Sequence, residues 1–187
     1  MDRFQNKYRI LSARAAWHAY GGGIYFVTLC TAGRIHYFGE IKDAEMHLST
    51  VGEIAAKNFA DVSTHYPYAE IPLFVIMPNH IHAVVIIDES RISVGAETLS
   101  GAVEKRCAAL SCDILEMTDI AHMQGRLSIV VGGLKSAITK AARQEKVSFA
   151  WQPRFYDRII RNVEEMNRIA EYIEHNVIRW EMDELNV

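Results

Sequence analysis

The stretch Phe74–Ile87 constrains this chain more than any other. It reads Phe-Val-Ile-Met-Pro-Asn-His-Ile-His-Ala-Val-Val-Ile-Ile, two apolar runs rich in β-branched residues on either side of a Pro-Asn step. Proline has no backbone N–H to give a central ladder, so Pro78-Asn79 marks a turn or a break in pairing. The flanking runs have the composition of largely buried strands. Side chains two apart on a strand share a face, so His80 and His82 project together, opposite to Ile81 and Ala83. Two adjacent imidazoles on a rigid sheet can grip one metal ion. They can equally be half-buried core residues.

The remaining segments supply elements to surround those strands. Ile24–Thr31 is β-branched and aromatic throughout and reads as a central strand; after a short turn at Ala32-Gly33-Arg34, Ile35–Ile41 reads as its hairpin partner. Ser49 or Thr50 caps a first helix, Glu53 completing a capping box with Thr50, and that helix ends before Pro67. Tyr68–Met77 and His80–Ile87 are the next two strands. In Leu127–Glu145, Ile129, Val130, Leu134, Ile138 and Ala141 recur at steps of three and four, which predicts a helix despite Gly132-Gly133. Phe149–Phe155 is a short extended segment. Asn162 caps a last helix whose first turn holds Glu164 and Glu165, and whose buried stripe is Met166, Ile169, Ala170, Ile173, Val177 and Trp180.

Residues 1–20 lack a period and read as an extended or irregular lead-in. Residues 88–125 also lack one and read as an insertion, with some local helix near 104–110. The order predicts an α+β fold over residues 1–187 as a single domain: a mostly antiparallel sheet with helices packed on one face.

Composition excludes several classes. Cys30, Cys107 and Cys112 are odd in number and form no CxxC pair, against a disulfide framework or a thiolate zinc site. Charged residues interrupt every apolar run before it reaches a membrane span, and the polar N-terminus lacks a signal-peptide core, so a cytoplasmic protein with no membrane partner is expected. The net charge of −3 disfavours a nucleic-acid partner on its own. Its distribution points the other way. Lys135, Lys140, Arg143, Arg154, Arg158 and Arg161 concentrate positive charge in one part of the chain, either as phosphate contacts or as an ordinary solvated surface.

On the last helix, Tyr172 and Asn176 are four residues apart and stack on one helix face beside the apolar stripe. If that face meets the strand of His80 and His82, Asn176 adds a carbonyl oxygen to two imidazoles. Tyr172 then brings a hydroxyl beside a metal-polarised phosphodiester. Taken singly, Tyr172 is an ordinary core-edge tyrosine and Asn176 a polar residue near a helix end.

Met77-Pro78-Asn79-His80-Ile81-His82 resembles the HUH motif of the IS200-like single-tyrosine (Y1) transposases, and within them the REP-associated tyrosine transposase branch. Tyr25-Phe26-Val27-Thr28, Tyr37-Phe38-Gly39-Glu40-Ile41, Leu134-Lys135-Ser136, Trp151–Asp157 with Ile160-Arg161-Asn162, and Tyr172-Ile173 with Asn176 also match that branch. The resemblance runs from about Lys7 to Trp180, leaving out the insertion. It implies an HUH-type nuclease fold of the ferredoxin-like kind. It further implies metal ligation by His80, His82 and Asn176, with Mg²⁺ or Mn²⁺ as the cofactor. Tyr172 would be the nucleophile that cleaves and rejoins single-stranded or hairpin DNA through a 5′-phosphotyrosine. Tyr156 is the competing tyrosine. Some members of the group are dimers that exchange the tyrosine helix, so a homodimer is compatible. A DNA-binding module without catalysis, and a metal-dependent phosphoesterase that uses water, are the alternative readings. Where the family often has Asn-Pro this chain has Asn176-Val177, so the last helix is expected to continue through Trp180.

Overall fold

The computed structural model describes residues 3–4, 8–9, 22–91 and 113–186. Near the N-terminus, β1 (Arg3–Phe4) and β2 (Tyr8–Arg9) pair antiparallel. The main sheet has four strands: β3 (Gly22–Cys30), β6 (Ala69–Met77), β7 (His80–Asp88) and β8 (Tyr156–Ile159). Their spatial order is β6-β7-β3-β8 and every pairing is antiparallel. Between β3 and β6 lie a separate hairpin, β4 (Gly39–Lys42) with β5 (Glu45–Leu48), and two helices, α1 (Thr50–Ala60) and α2 (Val62–His65). Two helices complete the fold, α3 (Asp113–Gln144) and α4 (Val163–His175).

The expected hairpin of Ile24–Thr31 with Ile35–Ile41 does not form. Strand β3 pairs with β7 and β8, both distant in sequence. Residues 39–42 turn instead onto 45–48 through Asp43-Ala44, two non-glycine residues at positive φ, as a tight hairpin turn demands. The helices do not share one face either. One face packs Tyr25, Val27, Leu29, Ile81, Ala83, Val85 and Ile87 under α1 and α3, through Val51, Ala55, Phe59, Val130, Leu134 and Ile138. The opposite face packs Val84 with Ile24, Phe26, Leu73 and Val75 under Met166, Ile169, Ala170 and Ile173 of α4. Burial on both faces explains why β3 and β7 read as continuous apolar runs rather than alternating ones. Each Ile or Met so buried contributes about 1.5–3 kcal/mol.

Ser49 is the cap of α1, its hydroxyl accepting from the Gly52 N–H at 3.1 Å, so the Thr50–Glu53 capping box is not the device used. Helix α3 begins well before Leu127, inside the stretch expected to be an insertion. The helix expected near 104–110 lies outside the described residues, as does most of the lead-in. Gly133 sits in α3 against the Tyr66 hydroxyl, which a Cβ there would have to displace. Asn162 caps α4 as expected, accepting from Glu165 N–H at 2.8 Å. The helix stops at His175, with Asn176 as its C-cap, and a 3₁₀ turn follows at Trp180–Met182. Continuation through Trp180 is therefore wrong; the chain turns after Asn176 without needing a proline.

Candidate active site

Strand register brings the site's first residues together. His80 lies opposite Cys30, and His82 opposite Thr28. Both histidines are buried on the face covered by α4. Their ring centroids are 4.6 Å apart. The β6–β7 turn that aims them is pinned at its polar atoms. The carbonyl of Pro78 accepts from Phe38 N–H at 3.0 Å, and that of Asn79 accepts from both the N–H and the hydroxyl of Thr31, at 2.9 and 3.0 Å.

Each imidazole has one nitrogen assigned by its neighbours. Asn79 donates its amide N–H to the Leu185 carbonyl at 2.8 Å, which turns its oxygen toward His80 Nδ1, also at 2.8 Å. His80 Nδ1–H is then the donor, and its Nε2 carries a free lone pair. In His82, Nδ1 meets the Thr28 hydroxyl at 2.8 Å, and Nε2 meets the Tyr172 hydroxyl at 3.2 Å. Ligating histidines elsewhere are oriented by this kind of second contact on the far nitrogen. Burial, then the neighbouring His82 and the charge of Arg34, push His80 down to about 2; burial pushes His82 down to about 4. Both rings are neutral at physiological pH, the state that binds metal.

Tyr172 reaches this pair from α4. It is 42 % exposed, and its ring meets Phe26 edge-on with centroids 6.2 Å apart, while Phe26 stacks on His82 at 5.2 Å. Burial of its inner part raises the phenol above its ordinary pKa. The charge of Asp183 adds to this, and hydrogen bonding from Asn176 opposes it. Asn176, one turn on, is buried. Its Oδ1 and His80 Nε2 are the buried side-chain atoms without a hydrogen-bond partner among the described residues. Leaving such an atom unpaired costs about 1–3 kcal/mol. Orphaned acceptors on adjoining elements are what a cation site looks like before the cation is bound, and two imidazole nitrogens with an amide oxygen suit a divalent ion.

Tyr156 shares this face, because it pairs with Thr28, which in turn pairs with His82. It stands two strand spacings from His82, roughly 9–10 Å, on the sheet edge and 64 % exposed.

Two residues near the site had no sequence signal. Asp183 follows the 3₁₀ turn, and its carboxylate lies 3.9 Å from His80 Nε2. Among the described residues, the histidine–carboxylate group with all donor atoms within 4.8 Å of one another is His80, His82 and Asp183. Arg34, at φ +58, donates to the buried Cys30 thiol at 3.3 Å, and Cys30 is the cross-strand neighbour of His80. Only a turn was legible around Arg34.

The basic residues divide between two places. Lys140 and Arg143 line a groove of about 670 Å³ with Thr139 and Trp151. Lys135 belongs to the same wall, but its ammonium donates to the carbonyls of Gln152 and Arg154, at 2.9 and 2.7 Å, and lies 5.4 Å from the Trp151 ring centroid. Trp151 returns a bond from its indole N–H to the Lys135 carbonyl at 3.1 Å. Arg158, by contrast, projects from β8 to Glu165 on α4 at 2.5 Å, and the Arg161 N–H donates to the same carboxylate.

The sequence is 30 % identical over 167 residues to an uncharacterized protein of Haemophilus influenzae strain Rd, covering 88 % of this chain and 86 % of that one. The chain belongs to the same family as that protein. Among solved structures it is similar to a REP-associated tyrosine transposase bound to a REP hairpin, with a TM-score of 0.53 and 20 % identity over 93 % of this chain and 73 % of the other. Its fold is that of a tyrosine transposase. No protein-family model matches the sequence. Among the described residues, no helix is long and apolar enough to cross a membrane.

Proposed function

We propose that this protein is a single-tyrosine DNA transposase or strand-transfer nuclease, with Tyr172 as nucleophile and His80, His82 and Asn176 as metal ligands. The observation that carries the reading is the position of the Tyr172 hydroxyl, 3.2 Å from His82 Nε2, next to two buried acceptors without donors, His80 Nε2 and Asn176 Oδ1. An unremarkable core would not gather a half-exposed phenol and unsatisfied lone pairs on one sheet face.

A Mg²⁺ or Mn²⁺ held by His80, His82 and Asn176 would supply Lewis acidity to the scissile phosphate. The chain's own groups do the rest. Thr28 and Asn79 hold the two rings in one orientation. Phe26 packs against both His82 and Tyr172 and fixes the angle of the phenol. The Tyr172 oxygen forms a bond to phosphorus as the bond to the 3′-oxygen breaks. The phenol proton leaves to solvent through the exposed side of the ring, and the departing 3′-oxygen takes one up. A 3′-hydroxyl of a second strand reverses these steps and releases Tyr172. Arg34 supplies a positive charge beside His80, and Lys140 and Arg143 supply two more at the Trp151 groove, where a base could stack.

The fold relative was captured on a REP hairpin, so a hairpin with a single-stranded flank is the substrate to test. The protein is incubated with end-labelled hairpin DNA and Mn²⁺ or Mg²⁺, then run on a denaturing gel beside Tyr172→Phe and His80→Ala. A covalent protein–DNA band in the wild type alone supports the proposal. A band that persists in Tyr172→Phe moves the chemistry to another residue, Tyr156 first. Salt-sensitive binding without any band indicates a binding module. Cleavage by Tyr172→Phe without an adduct indicates a phosphoesterase that uses water.

A further inference from the structure

Asp183 and His80 face each other as a carboxylate and an unpartnered ring nitrogen. The Asp183 side chain is 7 % exposed, and its Oδ2 stands 3.9 Å from His80 Nε2. That is too long for a hydrogen bond. Asn79 already takes the His80 proton at Nδ1, so Nε2 presents a lone pair to the carboxylate. Two electron-pair donors thus point toward one buried space, and a ring nitrogen of His82 lies within 4.8 Å of both. A divalent cation resolves this. Two ligands bound to one octahedral ion at about 2.1 Å lie about 3 Å apart when adjacent and about 4.2 Å apart when opposite. The present separations need only small side-chain adjustments to meet those values.

The backbone that carries Asp183 is tied to the same place. Leu185 N–H donates to Asp183 Oδ1 at 2.7 Å, leaving Oδ2 free toward His80. The Leu185 carbonyl accepts from the Asn79 side chain, the same amide whose oxygen orients His80. Asn186 bonds the Trp180 carbonyl through its side chain at 3.1 Å, and the Trp180 ring packs over His80 with centroids 6.0 Å apart. One asparagine therefore sets both a histidine ligand and the segment that delivers the carboxylate.

We propose that Asp183 is a fourth protein ligand of the metal, delivered by the segment Asp183–Asn186, which Asn79 clasps to the β6–β7 turn. This rests on the metal reading of the site given above and deepens it. The site then carries a negative charge of its own, and two coordination positions instead of three remain for phosphate oxygens or water. Asn79 is a positioning residue for both arms.

The test is isothermal titration of the full chain with MnCl₂, for the wild type, Asp183→Asn and His80→Ala. Asparagine preserves the acceptor for Leu185 N–H, and circular dichroism with thermal melting checks that each variant is folded. The expected result is one Mn²⁺ per wild-type chain, with Asp183→Asn weaker by at least the roughly 10- to 100-fold that loss of a residue merely supporting a ligand commonly produces. Asn79→Ala, which removes no ligand, should weaken binding by a smaller factor in the same direction. Wild-type binding that is lost in His80→Ala yet unchanged in folded Asp183→Asn overturns the role of Asp183 and leaves the metal site standing. Absence of stoichiometric Mn²⁺ in the wild type overturns both.

Discussion

The hydroxyl of Tyr172 and Nε2 of His82 are 3.2 Å apart, and that nitrogen is the one His82 has left, because Thr28 occupies Nδ1. On the reading proposed above, the phenol and a metal would compete for the same lone pair. A cation held by His82 would then displace the Tyr172 hydroxyl from the sheet and leave it tethered beside the site by Phe26 and the helix.

This competition has a measurable sign. Tyr172→Phe removes the rival hydrogen bond, worth about 0.5–1.5 kcal/mol net. Mn²⁺ should then bind as tightly as in the wild type or up to roughly tenfold tighter, although the covalent adduct is lost. Titration calorimetry decides it. Weaker binding in the phenylalanine variant would make the phenol oxygen a ligand rather than a rival.

Asn176 offers a second contrast, between stability and binding. Its Oδ1 is buried without a donor, so Asn176→Leu removes an unsatisfied atom at the cost of the bond its amide makes to Tyr172. The metal-free melting temperature should be unchanged or raised by about 2–4 °C, the equivalent of roughly 1 kcal/mol at this chain length. Metal affinity should fall in the same variant. A drop in melting temperature of similar size would show that the bond from its amide to Tyr172 outweighs the unsatisfied oxygen.

How much of this was legible before the structure depends on the range of the signal. His80-x-His82 and Tyr172-x-x-x-Asn176 are local patterns, and strand and helix geometry translate them directly into shared faces. That the two faces meet could be posed only as a condition, since α4 and β7 are far apart in the chain. The pairing of β3 was misread because a nearby strand-like segment looked like its partner, while the true one begins at His80, whose partner in the ladder is Cys30. Asp183 lay beyond legibility for a different reason. It belongs to no repeat, and it arrives through a 3₁₀ turn whose geometry depends on Trp180 packing against the sheet. The basic residues were visible as a run of charge, but not that Lys135 is turned inward upon carbonyls.

Lys135 and its neighbours should consequently behave differently on mutation. Lys135→Met removes two hydrogen bonds from an ammonium to the 152–154 backbone, at 2.9 and 2.7 Å, and should destabilise the protein by about 1–3 kcal/mol. Lys140→Ala and Arg143→Ala touch no such anchor. They should leave the melting temperature within a degree or so and weaken single-stranded DNA binding. If each side chain neutralises one phosphate, each loss lowers the slope of log affinity against log salt by about 0.7. Chemical denaturation and fluorescence anisotropy at several salt concentrations separate the two effects. An unchanged salt slope in both variants would remove the groove from the DNA surface.

The buried histidines also make the metal-free protein acid-sensitive in a defined window. In the unfolded chain both titrate near 6.5. In the folded state His82 is held down to about 4 and His80 to about 2, burial being the main cause in each. Below pH 6.5 the unfolded chain therefore binds more protons than the folded one, and stability falls as pH falls. The contribution is complete above pH 6.5. It is lost progressively toward pH 4 for His82 and continues to fall below that for His80. Between pH 7 and 5, carboxylates of ordinary pKa remain ionised, so the histidines dominate the slope. Urea denaturation in EDTA should show a loss on the order of a few kcal/mol across that interval, and His82→Gln should remove about half of it. Stability that stays flat from pH 7 to 5 in the wild type would mean that the two rings accept protons in the folded state, through contact with water or with Asp183, and that the site is open rather than sealed by α4.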